Sequence, residues 1–64
     1  MNRPIKRHFY DPMYTEKFSG LCTHLGVKHQ VIKEEDKTDE VTTEPLPPEK
    51  RKELNLAWIS VIDK

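Results

Sequence analysis

The sequence predicts a mostly α fold: a small helical domain in which two short helices meet at a tight corner and a C-terminal helix covers it. Three observations predict it. Phe18, Leu21, Cys22 and Leu25 recur at i, i+3, i+4 and i+7, the spacing of one helical face. Gly26 follows at once, where a glycine can take the left-handed conformation that ends a helix. Leu54, Ala57, Trp58, Val61 and Ile62 then form a second apolar stripe behind a Pro-Pro pair. The alternative is an α+β fold with a C-terminal strand, because Leu54, Leu56, Trp58 and Ile62 also alternate with smaller or polar positions.

Residues 1–14 are basic and aromatic and carry Pro4 and Pro12. Each proline pushes the residue before it out of the helical region, so the segment is expected to be a basic extended arm, with Phe9 and Tyr10 docking on the body. Residues 15–64 are expected to form one small domain. Thr15 is the expected N-cap of the first helix, and Gly20 weakens that helix by about 1 kcal/mol. A second helix is expected over residues 28–36. The stretch VKHQVIK also suits a strand, since Val27, Val31 and Ile32 are β-branched. Residues 37–46 are acidic and polar and suit a mobile loop. Pro48 and Glu49 open the last helix, over residues 48–64. Leu56 and Ile59 fall outside its apolar stripe, so this helix is buried on more than one side or meets a partner.

Composition narrows the function. The chain has 64 residues, 34% hydrophobic and 34% charged, so its core is small. It has too little material for a catalytic cleft and is expected not to be an enzyme. Net charge is zero, but its distribution is uneven: residues 1–33 carry a surplus of basic groups and residues 34–46 a surplus of acidic ones. A basic front half suits an anionic partner, or the acidic stretch of the same chain. A single cysteine, Cys22, forms no internal disulfide, which points to the reducing cytoplasm. No signal peptide and no membrane span are expected.

Residues 21–32, LCTHLGVKHQVI, resemble the helix-turn-helix of bacterial and phage repressors. Cys22 stands where that family has a small residue, Gly26 stands in the turn, and Leu21, Leu25, Val27 and Ile32 fall at its apolar offsets. The resemblance implies a DNA-binding regulator with a helix-turn-helix-like corner. Lys28, His29, Gln30 and Lys33 would then lie on the helix that enters the major groove. Arg3, Lys6 and Arg7 would act as an arm on the phosphates or in the minor groove. The chain departs from the pattern at Glu35, where the family has an apolar residue. Lys17, Gly20, Cys22, Gly26, Val27 and Lys33 also resemble the cytoplasmic start of phage-shock-protein C domains. In this chain the segment between Cys22 and Leu25 is about one helical turn shorter than in that family, and its membrane helix is missing.

Other chemistries are expected to be absent. The spacing of Cys22, His24 and His29, with His8 farther off, matches no zinc pattern, so no metal and no cofactor are expected. The alternative to a DNA-binding protein is a protein–protein adaptor or inhibitor. It would act through Trp58, Leu56, Ile59 and Ile62, or through the acidic loop. A homodimer is one way to bury that apolar tail.

Overall fold

Asp11 switches the chain from strand to helix. Its backbone is extended and its carboxylate accepts a hydrogen bond from the Met13 N–H at 2.9 Å. Pro12 occupies the first helical turn, where its missing N–H costs nothing. The cap is therefore Asp11 rather than Thr15. Thr15 lies inside the helix, buried, and donates its hydroxyl to Asp39 at 2.9 Å.

The computed structural model describes residues 1–63, and Lys64 of the expected last helix lies outside them. Its elements are β1 (Lys6–Phe9), α1 (Pro12–His24), β2 (His29–Lys33), β3 (Asp39–Thr43) and α2 (Pro48–Ile62). The strands form one antiparallel sheet in the order β1-β3-β2. The fold is thus α+β, not mostly α, and the second helix of the expected corner is β2. Gly26 does end α1, at φ +72°, but the chain leaves it extended. The β-branched Val31 and Ile32 take the strand conformation that also suits them. The C-terminal segment is a helix and not the strand of the alternative reading.

The acidic segment is ordered too. Lys37 turns the chain at φ 68°, Asp36 accepts from the Thr38 N–H and hydroxyl, and β3 follows as the central strand. Its Asp39, Val41 and Thr43 point inward and are buried, while Glu40 and Thr42 face the other way. The segment 1–14 likewise contains β1 and the start of α1, so it is not a free arm. Phe9 packs inward, whereas Tyr10 stays exposed.

Both helices pack on one face of the sheet. The core is Phe18, Cys22, Val27, Val41, Leu46, Leu54 and Trp58. Phe9, Phe18 and Trp58 form its aromatic centre, with ring centroids 5.1 to 5.6 Å apart and tilted or edge-on geometry. Helix α2 sits toward the β1 side, where Arg7 Nη2 donates to Asn55 Oδ1 at 2.8 Å. The β2 side receives no such cover, and this asymmetry sets the site described next.

Candidate binding groove at the sheet edge

The residues expected to read DNA divide between surfaces, with Gln30 and Lys6 together on the uncovered face of the sheet. His29 and Lys33 turn toward the helices, and Gln30 turns to the opposite face. Lys33 Nζ pairs with Asp39 Oδ1 at 3.0 Å. His29 Nδ1 donates to the Val27 carbonyl at 3.2 Å, so in the neutral ring Nε2 accepts from the Ser19 hydroxyl at 2.6 Å. Lys28 is exposed, and its backbone N–H is held by the Glu44 carboxylate at 2.8 Å.

The arm residues are also placed by the fold. Arg3 pairs its backbone with Leu46. The Arg7 guanidinium lies 5.9 Å from the Phe18 ring centroid, and its Nε is buried without a hydrogen-bond partner. Lys6 alone of the three is an exposed strand side chain. A recognition helix and a basic arm therefore have no counterpart in the geometry of these residues.

The residues of the protein-binding alternative divide. Trp58 is 5% exposed and serves the core. Leu56, Ile59 and Ile62 recur every third residue on α2 and are exposed. Their stripe faces away from the sheet.

The more structured surface runs along β2. Lys28 pairs with Glu44, and Glu34 with Thr38, through backbone bonds on the β3 side. Antiparallel ladders alternate, so Gln30 and Ile32 also bond toward β3. The backbone N–H and C=O groups of His29, Val31 and Lys33 consequently point outward from the sheet. Beside this edge lies a groove of about 530 Å³. Helix α1 supplies Pro12, Thr15, Glu16, Ser19 and Gly20 as one wall, and Val31, Lys33 and Asp39 form the other wall and floor. Gly20 keeps the helix wall low, and a Cβ added there would meet nothing within 4 Å. Asp39 is fixed by Lys33 and Thr15, and these two hydrogen bonds hold its carboxyl below the usual carboxylate range. Val31 is 42% exposed at the centre of the strand.

A second surface lies on the opposite, uncovered face of the sheet. Lys6 and His8 of β1, Glu40 and Thr42 of β3, and Gln30 and Ile32 of β2 share it. His8 Nε2 is 3.8 Å from Glu40 Oε2. Glu34, just past β2, hydrogen-bonds Glu40; that bond and the Glu40 charge hold its carboxyl above the usual range. The ligand atoms of His8, Glu34 and Glu40 all lie within 4.8 Å of one another. Among the described residues this is the one such grouping, and it is not the Cys22, His24 and His29 set considered from the sequence. Cys22 is fully buried, and burial pushes its thiol up to about 11. His24 is exposed at the end of α1.

Spacing along the chain gave no sign of either surface. The groove joins α1 to a strand first expected to be helix, and the three-residue cluster draws on three separate segments. Recognising TDEVTT as a strand would have exposed both, because its inward Asp39 and outward Glu40 mark the two faces.

No family model matches the chain, and neither a curated protein nor a solved structure matches it. No helix among the described residues is long and apolar enough to cross a membrane.

Proposed function

We propose that this chain is a small non-catalytic protein-binding module that takes an extended segment of another protein along the β2 edge, in a reducing compartment such as the cytoplasm. The observation that carries this reading is the outward backbone of His29, Val31 and Lys33 beside the α1 groove. A partner strand would satisfy those donors and acceptors and drop alternate side chains between β2 and α1. The edge has an exposed valine at its centre, and its one lysine, Lys33, is paired with Asp39. The groove also indicates the occupant. An apolar side chain suits the exposed Val31, and a basic one suits Glu16, which makes no ion pair among the described residues.

The DNA reading loses its support because the helix it requires is β2, and Lys33 is engaged by Asp39. The outer stripe of α2 is the competing protein surface. Affinity capture from nuclease-treated lysate, followed by amide exchange on the complex, separates the three. The expected result is a nuclease-resistant protein complex in which the His29, Val31 and Lys33 amides become protected. Val31→Pro should abolish it. The Val31 N–H is not a ladder donor, so proline on this edge leaves the fold intact. Ile59→Lys should leave capture unchanged. Loss of capture with nuclease would return the DNA reading, and loss with Ile59→Lys alone would move the interface to α2.

A further inference from the structure

We infer that His8, Glu34 and Glu40 form a three-ligand site for a divalent transition-metal ion on the uncovered face of the sheet. The three side chains come from β1, the turn after β2, and β3. Antiparallel register places His8 directly opposite Glu40, and Ile32 opposite Glu40 on the other side. Glu34, two residues on from Ile32, has the same facing and reaches back over the central strand. The donor atoms converge to within 4.8 Å of one another. Ligands on a single zinc ion are bound at about 2.0–2.2 Å, and small rotations of the exposed His8 and half-buried Glu34 side chains would complete that approach.

The donor set selects the class of ion. Two carboxylates balance the charge of a divalent cation, and the imidazole nitrogen favours zinc and its transition-metal neighbours over magnesium or calcium. Two carboxylates this close repel each other, and a cation held between them offsets that repulsion. Neither helix lies over this face, so an ion can enter and keep water in its remaining positions. A bound ion would clasp both outer strands to the centre and would hold the folded chain more strongly than the unfolded one.

The test is calorimetric titration of the full, chelator-stripped chain with Zn²⁺, then with Mg²⁺, together with thermal melts. The expected result is one Zn²⁺ per chain. At a hundredfold excess over Kd the Tm should rise by roughly 20 °C. Mg²⁺ should bind more weakly. His8→Gln and Glu34→Gln should each weaken Zn²⁺ binding by about tenfold or more. Both positions lie outside the core, and circular dichroism checks their fold. His24→Gln and Cys22→Ala should leave the affinity unchanged. Absence of zinc uptake would overturn the inference, as would uptake that survives both His8→Gln and Glu34→Gln or is lost with His24→Gln.

Discussion

Single side chains hold this small domain at a few well-defined points. Arg7 shows how placement changes a residue's meaning. On an arm it would be a cation free to meet phosphate. On β1 it bonds Asn55, covers Phe18 and buries its Nε. Arg7→Ala should therefore lower stability by about 1–3 kcal/mol in chemical denaturation, through lost packing and an unpaired Asn55. An arm residue would leave the unfolding midpoint unchanged. Asp39 gives a pH signature. Lys33 and Thr15 hold its folded-state pKa below the unfolded value, so its contribution is present at neutral pH and is lost as pH falls through the folded pKa. The stability gap between the wild type and Asp39→Asn should be open at neutral pH and close in the acid range below about pH 4.

At the scale of elements, α1 and α2 were legible, β2 was legible only as the alternative to a helix, and β1 and β3 were not. Helical spacing of Phe18 and Cys22, the Gly26 stop and the Pro48 start all reappear in the structure. The strands were obscured for a physical reason. β3 turns Asp39 and Thr43 inward, where Lys33, Thr15 and the Ile5 N–H satisfy them, so its alternation carries polar residues on both faces. β1 is short and turns a half-buried arginine inward. Pattern rules built on apolar residues pass over both strands. The two glycines separate helix interior from helix end. Gly20→Ala should raise stability by about 0.5–1 kcal/mol, because a methyl has open space there and alanine favours helix. Gly26→Ala should lower stability by about 1 kcal/mol or more, because φ +72° strains any side chain. Paired denaturation curves check both.

For the whole molecule, the placement of α2 decides what remains available. It covers the β1 side with Trp58 and Asn55, leaving the β2 edge and the α1 groove open. The same layering leaves the far face of the sheet bare, where His8, Glu34 and Glu40 meet. Neither surface depends on the helical corner suggested by LCTHLGVKHQVI, and both depend on β2 being extended. The most direct measurement is nuclear magnetic resonance of the free chain. A non-hydrogen-bonded antiparallel pair brings its Cα atoms to about 4.5 Å, so Val31 and Val41 should give a strong Hα–Hα cross-peak. The Gln30 and Ile32 amides should exchange slowly beside fast His29, Val31 and Lys33. Helical contacts from Val31 to Glu34, with uniform protection across residues 29–33 and no Val31–Val41 cross-peak, would contradict the edge strand on which both surfaces rest.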